Sequence, residues 1–252
     1  MTLFEIILAI SGGFFAGCIN TLSGNGSIVT LGFMTEIMGL PPQIANGTNR
    51  LGLLTQGIGS LHAFHHNNRL GTYGFNRHIL LGILSAILGA LCSIYVDPNS
   101  FLIVYKFMML LMLLMAIFKP EQWYKSNLDR NLQHSWISYV IIIVLGFYGG
   151  FIQMGMGVFF VFIMIHFLKT PVLEANIVKI IMVSCYTLII LFLFHHHQML
   201  DWKIGMTIAI GQGIGGWLMA HYASRIPNAA KVAHYLFIIA VSLTVFKLFG
   251  LF

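Results

Sequence analysis

Charge is the property that this sequence has least of. Only 8% of its 252 residues are charged, while 58% are hydrophobic and the mean hydropathy is +0.87. Soluble domains carry about 25% charged residues, because a surface that faces water has to be covered with polar groups. Thirteen Lys and Arg with seven Asp and Glu cannot cover a globule of this length. The composition excludes a soluble domain and predicts a polytopic membrane protein.

Paired cysteines and clustered basic residues are also lacking. Cys18, Cys92 and Cys185 lie far apart in apolar stretches, with no CxxC pair, so the sequence suggests neither a zinc site nor a disulfide framework. The net charge is +6, but the basic residues are scattered singly, so nucleic acid is not an expected partner. The apolar segment from Leu3 has neither a basic region before it nor a cleavage site after it. We expect it to be a retained first span.

Acidic residues are missing from the middle of every apolar run. The seven carboxylates lie at run ends or in loops; they are Glu5, Glu36, Asp97, Glu121, Asp129, Glu174 and Asp201. Acidic residues within spans form the proton relays and ion pathways of pumps and transporters. Their absence argues against a cation pump and favours a pathway for anions.

Ten apolar runs are present, five on each side of a polar stretch at 119–135. They cover 3–19, 27–38, 44–64, 79–96, 101–118, 136–153, 158–168, 172–194, 204–222 and 232–249. Because a spanning helix needs about 20 apolar residues, the second run of each set is too short to span alone. The pattern predicts an all-α polytopic membrane protein with about eight transmembrane helices.

The two sets of runs are similar in sequence. Residues 13–17 (GFFAG) match 146–150 (GFYGG) at a spacing of 133, and further matches follow at a spacing of 130. Those further pairs are Pro41 with Pro171, Asn46 with Asn176, His65-His66 with His195-His196, and Leu70 with Leu200. Matches in the same order at a near-constant spacing predict two structural repeats, 1–118 and 136–252, joined by a cytoplasmic linker at 119–135.

Basic residues in the loops predict how the repeats are oriented. They are Arg69, Arg77, Lys119, Lys125, Arg130, Lys169, Arg225 and Lys231. All of them lie inside the cell only if the loops at Asp97 and Asp201 lie outside. The repeats are then inverted, each with an odd number of crossings, and both termini are outside. Lys203 is the one loop charge that disagrees.

The first run of each repeat ends in a segment that is poorly suited to a helix. These segments, 20–26 and 153–157, mix glycine with turn-forming residues, which predicts broken or re-entrant helices at membrane depth. Duplicated breaks of this kind indicate a transporter binding site, where the N–H groups of the following helix favour an anion. The candidate residues are Asn20, Gly24, Asn25, Gly26, Ser27, Gln153, Gly155 and Gly157. The alternative is that small residues there only let helices pack closely.

Two cations inside the third run of each repeat extend the candidate site. Arg50 and Lys179 lie at nearly equivalent positions and are accompanied by Asn46, Asn49, Gln56 and Asn176. Burying a cation costs at least ~2.5 kcal/mol, so such residues usually face a cavity or a pathway. The alternatives are that they reach towards the interface, or that they pair with Glu36 or Glu174.

These motifs together resemble the TauE/SafE sulfite exporter family, also called the toluene sulfonate uptake permease family. The resemblance is carried by Gly13-Phe14-x-x-Gly17, the break Gly24-Asn25-Gly26, the turn at 42–46 and the second copy from Gly146. It implies a bacterial inner-membrane transporter, without a cofactor, that exports or takes up sulfite, sulfonates or other small sulfur-containing or organic anions. We expect the anion to bind between the repeats, which would rock against each other. No residue marks a proton or sodium coupling site, and the oligomeric state is left open.

Histidine clusters keep two alternatives open. His62-Ala63-Phe64-His65-His66 fits the H-x-x-H-H box of membrane di-iron enzymes, and His195–His197 adds three more imidazoles. A transition-metal transporter could use the same histidines with some of the fourteen Met residues. Inverted repeats would place the two clusters on opposite sides, where they could not share a metal. Metal transport would also require carboxylates or histidines deep within the spans.

Overall fold

The computed structural model describes residues 1–118, 136–222 and 229–250, and in these ranges it contains ten helices and no strand. The helices are α1 Leu3–Ser23, α2 Gly26–Glu36, α3 Pro42–His66, α4 Asn76–Tyr95, α5 Pro98–Phe118, α6 Trp136–Phe151, α7 Met156–His166, α8 Val172–His196, α9 Trp202–Tyr222 and α10 Ala229–Leu248. The predicted linker at 119–135, with its three cations, lies outside the described residues, and so does Arg225.

Four of these helices are long and apolar enough to cross a membrane. They are Leu3–Leu22, Asn76–Tyr95, Pro98–Phe118 and Val172–His196, each 20 to 25 residues long. Large apolar side chains such as Phe4, Ile103 and Phe192 are at least 68% exposed, which suits contact with lipid and not with water. The predicted helical membrane protein is confirmed, while the number of about eight crossings stays a prediction.

The first break turns the chain back on itself. α1 ends at Gly24, whose φ of 79° is left-handed, and α2 then returns along α1. Gly26 lies against the carbonyl of Ala16, and the ring of Phe33 lies against Gly12. The break is narrower than the predicted segment 20–26, because Asn20 to Ser23 remain helical. α1 and α2 form a helical hairpin whose tip is Gly24-Asn25.

The second break has the same shape with an earlier start. α6 already ends at Phe151, and Gln153 and Gly155 have positive φ angles of 49° and 67° before α7 begins. The Tyr148 hydroxyl donates to the Met154 carbonyl across the turn. The ring of Phe159 lies 5.9 Å from that of Tyr148, so α7 returns along α6. This second hairpin has its tip at 152–155.

Small residues let each hairpin pack closely on a long helix from the other set. A Cβ atom on Gly17 of α1 would lie 2.5 Å from the Gln212 carbonyl oxygen of α9. A Cβ atom on Gly150 of α6 would lie 1.8 Å from the Ala86 carbonyl oxygen of α4. Glycine is needed where backbones approach this closely, as in GxxxG contacts between membrane helices.

The two longest helices, α3 and α8, cross in opposite directions at the centre. Gly57 faces Ser184, and Gly47 faces the Met199 carbonyl just beyond α8. One end of the bundle, called here the Arg69 end, contains the C-terminus of α3 and the N-terminus of α8. Arg69, Arg77 and Lys169 lie at this end. At the other end, the Asp201 end, the Asp201 N–H donates to Thr48 and the Gln43 amide donates to the Val96 carbonyl beside Asp97. Arg69, Arg77 and Lys169 thus lie at the opposite end from Asp97 and Asp201, with Lys203 as the exception, and which end faces the cell interior stays a prediction.

Candidate functional site

The two hairpin tips meet in the middle of the molecule. A Cβ atom on Gly24 would lie 2.8 Å from the carbonyl carbon of Gly157, and one on Gly157 would lie 2.7 Å from the Gly24 oxygen. Glycine is therefore required at both positions, for close approach in each case and for positive φ at Gly24. The two breaks, which are 133 residues apart in sequence, form one site.

A small pocket lies beside this contact. Residues from both sets of helices line it: Asn20, Gly24, Ser27, Leu53, Gln56, Gly57, Gln153, Gly157, Lys179, Ile180, Val183 and Ser184. Seven of the fourteen candidates from the sequence are brought together here, namely Asn20, Gly24, Ser27, Gln56, Gln153, Gly157 and Lys179. The described lining combines polar residues with the aliphatic Leu53, Ile180 and Val183, and it includes no carboxylate.

Each tip is hydrogen-bonded to the middle of a central helix. In the first set, the Asn20 amide donates to Gln56 Oε1 at 2.5 Å, and Gln56 donates to the Thr21 hydroxyl at 3.1 Å. In the second set, the Tyr186 hydroxyl donates to Gln153 Oε1 at 2.7 Å. Gln56 and Tyr186 are 130 residues apart, the spacing at which the two halves match. The same tie occurs once on each side of the site.

Lys179 is the one charged side chain in the described lining of the pocket. It is 4% exposed, and its Nζ donates to Asn176 Oδ1 at 2.8 Å. Asn176 also donates to the Val172 carbonyl of its own helix. An ammonium group has three N–H donors, so two remain for a ligand. The alternative ion pair with Glu174 is wrong, because the described partner of Lys179 is Asn176.

Arg50 lies beside the pocket but not in its lining. The guanidinium donates to the Gly149 and Gly150 carbonyls at 2.9 and 2.7 Å and to Gln153 Oε1 at 2.6 Å. Asn46 donates to the next carbonyl, Phe151, at 2.9 Å. Arg50 thus caps the end of α6, where a helix leaves carbonyls without partners. The alternative pairing with Glu36 is wrong for this reason.

Helices α2 and α7 begin at the site. Neither has a side-chain cap, and the first N–H groups with described backbone partners are those of Ile28 and Val158. Asn25 and Gly155 lie in the turns and Gly26 is the first residue of α2, and all three lie outside the described lining. Ser27 and Gly157, which do line it, are in the first turns of α2 and α7, where the backbone N–H groups of a helix favour an anion.

Ser184 and Gly57 belong to the pocket but are not among the fourteen site residues predicted from the sequence. Ser184 is 8% exposed, and its hydroxyl has no partner among the described residues. Gly57 lies opposite, where a Cβ atom would be 2.1 Å from Ser184 Oγ. Asn49, a predicted member, is buried outside the lining, with neither amide atom bonded in the described part of the chain.

The histidine clusters lie at opposite ends of the bundle. The ring of His66 is 6.0 Å from that of His221 at the Arg69 end. At the Asp201 end, His195 Nδ1 accepts the Trp202 indole N–H at 3.2 Å. Over residues 1–118, 136–222 and 229–250, no three His, Cys, Asp or Glu side chains are grouped so that they could hold a metal ion.

Comparison with known proteins covers nearly the whole chain. The family model described as Sulfite exporter TauE/SafE matches residues 9–247. A "Probable membrane transporter protein" of Xylella fastidiosa (strain 9a5c) is 25% identical over 251 residues, which is 97% of this chain and 96% of that protein. A "Probable membrane transporter protein ORF9" of Sinorhizobium sp is 26% identical over 246 residues, covering 92% and 88% respectively. No solved structure matches significantly.

Proposed function

The chain belongs to the TauE/SafE sulfite exporter family, and from this premise we propose that it carries a small anion through the pocket between its hairpin tips. Family membership and the long apolar helices make it an integral membrane transporter. The proposed substrate is sulfite, a sulfonate or another small sulfur-containing or organic anion. The proposed location is the bacterial inner membrane.

The observation that carries the proposal is the environment of Lys179. A buried ammonium with a single partner among the described residues is costly, and a bound anion would offset that cost. Among the residues that the structure describes, no Asp or Glu lines the pocket to compete with such a ligand or to attract a cation. Lys179 would therefore supply the charge for binding.

Neutral donors would complete the binding of the anion. The N–H groups of Ser27 and Gly157 are at the starts of α2 and α7, and the Ser184 hydroxyl has no described partner. Leu53, Ile180 and Val183 form an aliphatic wall beside them. Hydrogen bonds from such groups select an oxyanion by its shape as well as by its charge.

We also propose that two inverted repeats alternate access to the pocket. Helix lengths of 21, 11, 25, 20 and 21 residues recur as 16, 11, 25, 21 and 20. The ties Asn20–Gln56 and Gln153–Tyr186 occupy matching positions. Three helices follow the hairpin in each repeat, and inversion requires an odd number of crossings in each repeat.

Transport in proteoliposomes tests this function directly. The purified protein and its Lys179→Gln variant would be compared for movement of radiolabelled sulfite, with taurine, sulfate and acetate as competitors. Lys203→Gln, which removes the same charge at an exposed position, is the matched control. We expect Lys179→Gln to raise KM by about tenfold or more, since a charge-assisted hydrogen bond is lost.

The competitors test which class of anion is the substrate, and the variants test whether Lys179 belongs to its binding site. Competition by one anion class, with Lys203→Gln unaffected, would support the proposal and name that class. Normal transport by a folded Lys179→Gln protein would refute the assignment of the site.

A further inference from the structure

We infer that Arg50 is a positioning residue that acts through Gln153 and does not itself bind the anion. Its guanidinium holds the amide oxygen of Gln153, so that the amide N–H₂ group is left to face the pocket. The inference rests on the proposed function, because it assumes that the pocket receives an anion.

The geometry begins with the two bonds to Gln153 Oε1. Arg50 Nη1 donates to this oxygen at 2.6 Å, and the Tyr186 hydroxyl donates to it at 2.7 Å. The same residue lines the pocket, and from this we take the other end of its amide to face the pocket. The oxygen is directed towards Arg50, and Nε2 is in none of the bonds described for this residue.

The chemistry of arginine fixes this orientation. An amide side chain can usually be turned over to exchange its oxygen and nitrogen when its partners can both donate and accept. A guanidinium has five N–H donors and no acceptor, so only the oxygen of Gln153 can face it. An anion in the pocket therefore meets an N–H₂ donor and is not repelled by a carbonyl.

Arg50 also removes an electrostatic obstacle. α6 ends next to the pocket, and the C-terminus of a helix carries about half a negative charge on its free carbonyls. Arg50 donates hydrogen bonds to the carbonyls of Gly149 and Gly150, and Asn46 donates one to the carbonyl of Phe151. The negative end of α6 is thereby neutralised beside the residue that lines the pocket. At the matching position of the other half, 130 residues on, stands Ile180.

The sharpest test is Gln153→Glu, which has nearly the same shape. One carboxylate oxygen would still accept from Arg50, so the variant is expected to fold and to keep its Tm. The second oxygen would replace the N–H₂ group facing the pocket and repel the anion. Sulfite binding, measured by calorimetry on detergent-purified protein, should weaken by more than about tenfold. Gln153→Leu, which adds no acceptor, should weaken it less.

A pair of double variants separates positioning from a structural role. Arg50→Lys keeps the charge but loses the fork that holds Gln153. It should weaken sulfite binding several-fold in the wild-type background and hardly at all in Gln153→Leu, because the amide is already gone. Equal effects on Kd in both backgrounds would overturn the inference, and so would a lower Tm with unchanged Kd.

Lys179→Gln distinguishes failure of this inference from failure of the proposed function. Loss of sulfite binding in Lys179→Gln, with normal binding in Gln153→Glu, would refute the role of Arg50 and leave the anion site in place. Normal binding in both variants would refute the anion site itself.

Discussion

Arg50 and Lys179 are both buried cations on central helices, yet their surroundings differ. Arg50 is 0% exposed and makes three hydrogen bonds to the end of α6 and to Gln153. Lys179 lines the pocket and makes one bond, to its own helix. A cation whose terminal N–H groups are held by several protein acceptors orders its neighbours, whereas one with a single described acceptor has donors available to a ligand. The number of protein partners therefore separates two residues that look equivalent in sequence.

The two hairpin tips also differ in how the orientation of their amide side chains is fixed. Gln153 is held in one orientation by the donor-only guanidinium of Arg50. Asn20 and Gln56 are held by each other and by the Thr21 hydroxyl, and all three can donate or accept. Both amides can turn over together without losing a bond. One tip offers a fixed donor to the pocket and the other is adaptable.

The largest expected effect is the difference in stability between a variant of Arg50 and a variant of Lys179. Arg50→Met leaves the buried Gly149 and Gly150 carbonyls without their described side-chain donor and should cost about 3–5 kcal/mol, since each unsatisfied buried acceptor costs about 1–3 kcal/mol. That loss corresponds to a Tm lower by about 10 °C in detergent. Lys179→Met removes a buried charge with one partner and should leave Tm unchanged or higher. Similar losses of Tm in the two variants would break the comparison.

Contact between the tips gives the next largest effect. Gly24→Ala requires a left-handed alanine and a movement of the Gly157 backbone, which together should cost about 2–3 kcal/mol. Gly39 is the matched control, since its φ is 71° and nothing lies within 4 Å of an added Cβ. Gly39→Ala should cost about 1 kcal/mol, from the backbone angle alone. Equal melting temperatures for the two variants would mean that the tips do not touch.

Asn46 and Asn176, which lie at matching positions of the two halves, extend the comparison with a smaller expected effect. Asn46→Ala releases the Phe151 carbonyl and should lower stability by about 1–2 kcal/mol, with little change in anion affinity. Asn176→Ala frees Lys179 from its only described partner and should change the KM for the anion more than the Tm. Thermal unfolding and transport measured on both variants check that Asn46→Ala mainly lowers stability and that Asn176→Ala mainly changes KM. The opposite assignment of the two effects would contradict it.

Ser184→Ala should have the smallest effect. Its hydroxyl is buried with no described partner, so removing it should raise stability by up to about 1 kcal/mol while anion binding weakens. Ser60, whose hydroxyl donates to the Gly216 carbonyl at 3.4 Å, is the control. Ser60→Ala should be neutral or destabilising, without a change in Kd. A destabilised Ser184→Ala protein would show that this hydroxyl has a structural partner.

Much of the fold could be predicted because the signals are local. Apolar runs and Gly-rich breaks gave the helices and the two turns, since backbone choice there depends on nearby residues. The width of the first break could not be predicted, because Asn20 to Ser23 stay helical through contacts between Asn20, Thr21 and Gln56. A tertiary hydrogen bond overrides a weak helix propensity.

The candidate site was predicted only in part for a related reason. Lys179 and the tip residues carry a visible signal, namely a charge or a break within an apolar run. Ser184 and Gly57 look like ordinary small residues of a membrane helix, and only the crossing of α3 over α8 places them together. Whether a buried cation caps a helix or faces a pocket depends on where α6 ends, 100 residues away from Arg50.

The most direct measurement is a crystal structure of the protein soaked with selenate, whose selenium scatters anomalously and marks the anion. The account predicts one anomalous peak between the hairpin tips, with a selenate oxygen about 2.7–3.2 Å from Lys179 Nζ. The bonds from Arg50 to α6 should remain in place. A peak on the Arg50 guanidinium with the α6 carbonyls released, or no peak beside Lys179 at saturating selenate, would contradict it.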